Sequence, residues 1–222
     1  MNQHDEKLIA IVLGDAKPSL ELRRWLRTED GQRDLSAYRQ TLKALNRAYG
    51  QVAPASAPAA VHYTGMQTPI GRVWVAATQE GLVRVSFRQT EAAFVAELWR
   101  RLRTAVIKSP DALASIVAQL QAYFARTRRT FDLPLDLRIA TPFQRRVLAA
   151  TRRVPPGQVV SYGEIARRIR QPKASRAVGQ ALNRNPIPIV IPCHRIVSSS
   201  GDLGGYAGGL TIKRKLLGIE AA

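Results

Sequence analysis

Apolar and polar positions alternate along this chain in two distinct rhythms, and the change from one to the other divides it. Near the N-terminus Leu22, Trp25 and Leu26, then Leu42 and Leu45, recur at helix-compatible spacings, so residues 1–50 are expected to be a helical extension. The uncharged stretch QVAPASAPAA, residues 51–60, follows as a semi-extended Ala/Pro linker. In TPIGRVWVAATQEGLVRVSF the period falls to two, at Val73 and Val75 and again at Leu82, Val83 and Val85, with Gln79-Glu80-Gly81 between them. That pattern predicts an antiparallel hairpin. Two helices are expected next, Thr90 to Arg103 and Pro110 to Arg126. The second has Ser109 as cap, proline at its first position and Leu113, Ile116, Val117, Leu120 and Phe124 on one face. These elements outline a small α+β scaffold over residues 61–138.

From residue 139 the pattern shifts to short, closely spaced helices. Thr141-Pro142 opens one carrying Phe143, Val147 and Leu148, and VPPG at 154–157 closes it with a turn. Ser161 and Glu164 form a capping-box pattern ahead of inward-facing Ile165 and Ile169, and Ser175 is placed to cap RAVGQALNRN. Two short helices around the break at Pro172 have the form of a helix-turn-helix. Its second helix mixes small residues, Ser175, Ala177, Gly179 and Ala181, with flanking Arg170, Lys173, Arg176 and Arg184. A glycine inside a helix costs roughly 1 kcal/mol relative to alanine. Two readings stand for Gly179: tight packing on the core, or close approach of a nucleic-acid groove.

Charge sharpens the picture. The chain carries 34 Lys and Arg against 16 Asp and Glu, a net +18. Residues 1–60 hold 9 basic and 7 acidic side chains, so the remainder is +16. A field of that sign draws in a polyanion, with nucleic acid the default partner. No run approaches the 18 apolar residues of a membrane span, and the start MNQHDEKLIAIVLGD lacks the features of a secretory signal, so the expected location is cytoplasmic.

The single cysteine, Cys193, lies in NPIPIVIPCHRIVSSSG. One cysteine and three scattered histidines offer no metal-ligand spacing. A lone buried cysteine is often only a small hydrophobe. As a nucleophile it would need help, since at a reference pKa near 8.5 roughly 3% is thiolate at pH 7. The apolar run before it and the Gly/Ser-rich SSSGDLGGYAGG after it describe a pocket with one thiol at its floor.

Taken together, TPIGRVWVAATQEGLVRVSF, FQRRVL, VPPGQVVSYGEIA, KASRAVGQALNRNPIPIVIPCHRIV and GYAGGLTIKRKLLGIE resemble the O6-alkylguanine-DNA alkyltransferases over about residues 65–220. The resemblance implies a fold of class α+β: a small N-terminal α/β, ribonuclease-H-like domain, then a mostly helical DNA-binding domain holding the helix-turn-helix and the active-site cysteine. It implies direct, single-turnover transfer of an alkyl group from O6-alkylguanine, and also O4-alkylthymine, to Cys193. His194 would be the base acting through a water, Glu220 its support, and Asn185 the holder of the turn between recognition helix and active-site loop. Tyr162 would meet the target phosphate or the flipped base, Arg176 would fill the vacated stack, and Ala177 and Gly179 would let the helix enter the minor groove. Pro188, Ile196, Tyr206, Ala207 and Lys213 would line the guanine pocket. The partner would be double-stranded DNA containing alkylated guanine, bound by a monomer with no cofactor, no metal and no membrane.

Ala207 stands where some relatives have serine, which puts substrate breadth in question, and the N-terminal cysteines that bind zinc in some relatives are lacking. The first 60 residues lie outside this resemblance. Within them LRRWLRTEDGQRDLSAYRQTLKAL resembles the helical N-terminal segment of FecR-type sigma-factor regulators, an accessory module of open role. Two other classes compete with the transferase. A sensor would recognise alkylated bases without transfer, and relatives of that kind lack the cysteine. A cysteine hydrolase needs an independently placed histidine, which the adjacent Cys193-His194 pair does not supply.

Overall fold

The computed structural model describes residues 24–34, 36–37, 40 and 60–221. The chain divides into two units, residues 1–59 and 60–222. In the first, residues 24–25 and 29–34 are helical, and the Thr28 hydroxyl accepts from Gly31 N at 3.2 Å. The other apolar positions noted before residue 50, and the linker over 51–59, lie outside the described residues.

The second unit is built on a sheet that is buried on both faces. Strands β1 (Val61–Thr68), β2 (Gly71–Thr78), β3 (Gly81–Phe87) and β4 (Val106–Lys108) are ordered β3-β2-β1-β4. The β2–β3 hairpin is antiparallel as expected, pairing Val75 with Val85 across a bulge at Ala76/Ala77, while β4 runs parallel to β1. Successive strand side chains point to opposite faces. Val73, Val75 and Ala77 therefore enter one core, while Trp74 and Ala76 join Tyr63, Val83, Phe94 and Leu98 in another. Helix α1 (Glu91–Leu102) covers the second core; Thr90 caps it through Ala93 N, and the Phe94 ring stacks on Trp74 at 6.0 Å.

On the opposite face a 3-10 turn, Asp111–Leu113, leads into α2 (Ala114–Phe124), which buries Leu120 and Tyr123. The expected Ser109 cap is not made. The Ser109 hydroxyl pairs with His62 Nδ1 at 2.9 Å on the edge of β1, and Pro110 holds the cap position with no side-chain bond.

The remaining elements are α3 (Pro142–Arg152), β5 (Val160–Ser161), α4 (Tyr162–Arg168), α5 (Ser175–Asn183), a 3-10 turn (Cys193–Arg195), β6 (Ile196–Val197) and α6 (Leu210–Glu220). Thr141 caps α3 through Gln144 N, and Ser161 caps α4 through Glu164 N. Such a cap is worth about 1 kcal/mol. Two details differ from the sequence reading. Glu164 does not reach back to complete a capping box, because Arg167 and Arg168 engage its carboxylate. Ser175 is the first residue of α5 and Ala174 its cap, without a side-chain bond. The helix-turn-helix is α4–α5, with buried Ile165, Val178 and Leu182 beneath it. The two halves share one core and meet at β3, where Val85 N donates to Pro186 O at 2.9 Å.

Candidate active site

Asn185 to Pro192 is irregular and leads into the 3-10 turn and β6, yet every residue from Asn185 to Val197 is buried. Buried backbone must find hydrogen-bond partners, and one side chain supplies several. Asn185 Nδ2 donates to Ile191 O at 2.9 Å and to Cys193 Sγ at 3.2 Å, while its Oδ1 accepts from Ile187 N at 3.0 Å. Prolines 186, 188 and 192 limit the alternatives open to the loop. Ile189 is held at φ +76°, a conformation β-branched residues rarely adopt, by burial on all sides.

Cys193 opens the 3-10 turn and is 8% exposed. Burial pushes its thiol pKa up, against the Asn185 amide and the charge of Lys213, which draw it down. His194 is fully buried, and burial outweighs the pull of Glu220, so its pKa lies below the usual value and the ring is neutral at pH 7. Its Nε2 donates to Glu220 Oε1 at 2.8 Å, leaving Nδ1 as the unprotonated nitrogen, buried and without a partner among the described protein atoms.

Glu220, the last residue of α6, is the most heavily bonded carboxylate of the site. Beyond His194 it accepts from Arg195 Nε at 2.7 Å, Arg195 Nη2 at 2.9 Å and Tyr123 Oη at 2.8 Å. Burial pushes its pKa up, but hydrogen bonds and charge from His194 and Arg195 outweigh that and hold it well below the usual carboxylate range. Arg195 Nη1 in turn donates to Val154 O, tying the turn after α3 to the cluster.

Lys213, on the first turn of α6, is fully buried with no carboxylate beside it; its Nζ donates to Ile196 O at 2.6 Å and to Leu203 O. Burial lowers its pKa, against the attraction of a Cys193 thiolate. Tyr206 stacks on Phe87 at 6.1 Å, and its buried hydroxyl makes no hydrogen bond of good geometry. Burial first, and the nearby Cys193 charge second, raise that phenol well above 10. Of the other pocket candidates, Pro188 is buried and bridged to Ile191, Ile196 is buried with its carbonyl on Lys213, and Ala207 sits in an exposed turn.

On the helix-turn-helix, Tyr162 begins α4 and donates to Gly205 O at 3.3 Å, while Arg176 and Ala177 are exposed on α5. A Cβ built on Gly179 would stand 3.8 Å from the Tyr162 ring, an ordinary contact. Core packing therefore does not demand glycine there. Among the described residues no His, Cys, Asp and Glu group could hold a metal, and no helix is long and apolar enough to cross a membrane.

Residues 61–137 match the family model described as 6-O-methylguanine DNA methyltransferase, ribonuclease-like domain, and residues 142–222 match its DNA binding domain. Over 160 residues the chain is 43% identical to the methylated-DNA--protein-cysteine methyltransferase of Mycolicibacterium paratuberculosis, covering 72% of this chain and 92% of that one. The chain belongs to the methylated-DNA--protein-cysteine methyltransferase family. The constitutive Bacillus subtilis member is 41% identical over 161 residues, covering 72% of this chain and 94% of its own length. A crystal structure of Mycobacterium tuberculosis OGT in complex with DNA superposes with a TM-score of 0.64 at 41% identity, over 72% of this chain and 92% of that one.

Within this methyltransferase fold, Cys193, His194, Asn185, Glu220, Lys213 and Tyr206 are brought together around the thiol, whereas Arg176, Ala177 and Gly179 lie on α5, the second helix of the helix-turn-helix. Arg195 and Tyr123 were not singled out from sequence. Arg195 follows His194 directly and carries the signal of a second cation, but nothing in the sequence around Tyr123, beside Phe124 at the end of α2, marks it as a partner of Glu220.

Proposed function

We propose that this protein repairs DNA by stoichiometric transfer of an alkyl group from O6-alkylguanine, and from O4-alkylthymine, to Cys193. The observation that carries the reading is the buried cluster in which Asn185 Nδ2 donates to Cys193 Sγ while the adjacent His194, its Nδ1 unpartnered, is held by Glu220, itself closed by a bidentate arginine. His194 Nδ1 takes the thiol proton through a bridging water, and the resulting imidazolium is stabilised by Glu220. The thiolate then attacks the alkyl carbon in line. The S–C bond forms as the C–O bond breaks, the electron pair stays on the base, and the base takes up a proton. Lys213 stabilises the transient negative charge on sulfur. A thioether is not hydrolysed by water, so each molecule acts once, without a cofactor.

Attack requires the damaged base to leave the stack, at a cost of a few kcal/mol. Arg176, exposed on α5, fills the gap, and Tyr162 meets the rotated phosphate or base. Ala177 and Gly179 let α5 enter the minor groove. Pro188, Ile196, Tyr206 and the backbone of Ala207 bound the guanine. The +18 charge makes phosphate contacts, and hence salt, the main determinant of affinity. The protein acts as a cytoplasmic monomer on double-stranded DNA, with residues 61–138 as the scaffold domain and 139–222 as the catalytic one.

Intact mass spectrometry after incubation with an oligonucleotide bearing one O6-methylguanine tests this. A gain of about 14 Da on the wild type and not on Cys193→Ser is expected. DNA binding with no gain in mass would replace transfer with damage sensing.

A further inference from the structure

Strand β3 carries a cation that the chemistry above does not use. The Arg84 side chain is only 17% exposed and is paired through Nη2 with Glu97 Oε1 at 3.1 Å, a carboxylate of α1 that is itself 8% exposed. Glu97 is fixed in turn by Arg101 Nε at 2.9 Å and Gln89 Nε2 at 3.1 Å. A buried ion pair of this kind contributes little net stability compared with apolar residues of the same size. What it does here is aim the other half of the guanidinium. Arg84 Nη1 reaches across to the catalytic half of the molecule, 3.3 Å from Pro186 O and 3.5 Å from Asn185 O.

Those two carbonyls follow the end of α5, where the helix dipole leaves negative potential and Asn185 N closes back on Leu182 O at 3.0 Å. A fixed cation holds such a turn more firmly than the single bond from Val85 N to Pro186 O. With its backbone held, Asn185 has its amide directed at Cys193 Sγ, 3.2 Å away. Three successive contacts thus join α1 to the nucleophile: Glu97 to Arg84, Arg84 to the Asn185–Pro186 turn, and Asn185 to the thiol.

We propose that Arg84, oriented by Glu97, is a positioning residue for alkyl transfer, holding the Asn185–Pro186 turn so that the Asn185 amide donates to Cys193 Sγ. The proposal rests on the transfer reading above and makes the ribonuclease-like half a working part of the active site.

The test uses Arg84→Met and Glu97→Gln in the full chain, with Arg84→Lys as the conservative variant and Arg100→Met as control, since Arg100 is an exposed cation on the same helix as Glu97. Cys193 is the single cysteine of the chain, so thiolate absorbance against pH, with Cys193→Ser as blank, reads that group alone. The ionisable groups near the sulfur are His194, Tyr162 at the start of α4, Tyr206 in the glycine-rich loop and Lys213 on α6, and none of them is altered.

Loss of the amide contact disfavours the thiolate. The midpoint is therefore expected to rise by about half to one pH unit in Arg84→Met, with transfer about three- to tenfold slower below the midpoint and recovering above it. Glu97→Gln shifts in the same direction, Arg84→Lys lies between, and Arg100→Met matches wild type. A folded Arg84→Met with the wild-type midpoint, or one slowed equally at every pH, overturns the proposal. Should that variant fail to fold, a wild-type midpoint in Glu97→Gln overturns it. A wild type that transfers nothing would sink the repair reading, while the thiol titration would still decide the clamp.

Discussion

Replacing Gly179 by alanine should move stability and DNA affinity in opposite directions. Gly179 lies inside the nine-residue helix α5 at a backbone conformation open to any L-residue. Alanine there gains about 0.8–1.0 kcal/mol of helix propensity. The new methyl would rest 3.8 Å and 3.9 Å from two carbons of the Tyr162 ring, inside ordinary contact distance and without a clash. For a compact unit of this size, 1 kcal/mol corresponds to a rise in melting temperature of about 2–4 °C. On the DNA side the same methyl stands between the helix and a narrow groove. An extra methyl in a closely fitted contact costs about 1–3 kcal/mol, so affinity for duplex DNA should fall by about 5- to 150-fold. Calorimetry and fluorescence anisotropy at one fixed salt concentration measure the two quantities. A higher melting temperature with unchanged affinity would remove Gly179 from the interface. A lower melting temperature would show that the fold itself needs the glycine, and the argument from free space would be wrong.

Three further outcomes are expected. Glu220→Gln takes the counter-charge from Arg195, which is 5% exposed, and should cost about 3–5 kcal/mol in urea melts while slowing transfer, because the imidazolium loses its support. The folded-state pKa of Glu220 lies below its unfolded value near 4.3, so its contribution to stability is complete above about pH 4.3, begins to fall below it and is gone once pH has passed the folded pKa; melts from pH 7 to 3 should show the onset of that loss in wild type and a smaller fall in Glu220→Gln, where Glu97 and Asp136 still contribute. Methylation of Cys193 adds a methyl beside the Asn185 amide in a packed loop, so the reacted protein should melt about 2–6 °C lower; equal melting temperatures would contradict this.

The parts of the fold legible in the sequence are those set by local periodicity. The β2–β3 hairpin shows as alternation, and the caps at Thr90 and Thr141 sit where the chain turns into helix. Strand β1 was not foreseen, and its pairing explains why. Gly65 lies opposite Trp74, and a Cβ at Gly65 would fall 2.5 Å from the indole, so the residue that fits the sheet breaks the strand pattern. β4 is three residues long and exists through its parallel pairing with β1. Ser109 makes no cap for a related reason: its hydroxyl takes a better partner, His62, 47 residues away. Ser175 makes none because it is itself the first helical residue, with Ala174 in the cap position.

The site divides along the same line. Cys193 and His194 are adjacent and announce themselves, whereas the carboxylate that orients the ring is 26 residues further on, and the tyrosine bonded to it lies on α2, 97 residues before it. No spacing rule reaches across such separations; only tertiary packing brings these groups to one point.

That packing also fixes the resting state of the nucleophile. Burial raises the thiol of Cys193 and lowers the imidazole of His194, so below the thiol midpoint the pair rests as neutral thiol and neutral base. Charge separation is possible only because both products are provided for in advance. Glu220 lies 2.8 Å from the ring that would become positive, and Lys213 supplies a cation near the sulfur that would become negative. A neutral resting thiol is protected from indiscriminate alkylation, because the thiolate is the reactive form. On the proposed transfer reading, the arrangement would reserve reactivity for a base held in the pocket, where the proton transfer and the in-line attack share one geometry. For a protein that can act only once, that restraint matters as much as the acceleration.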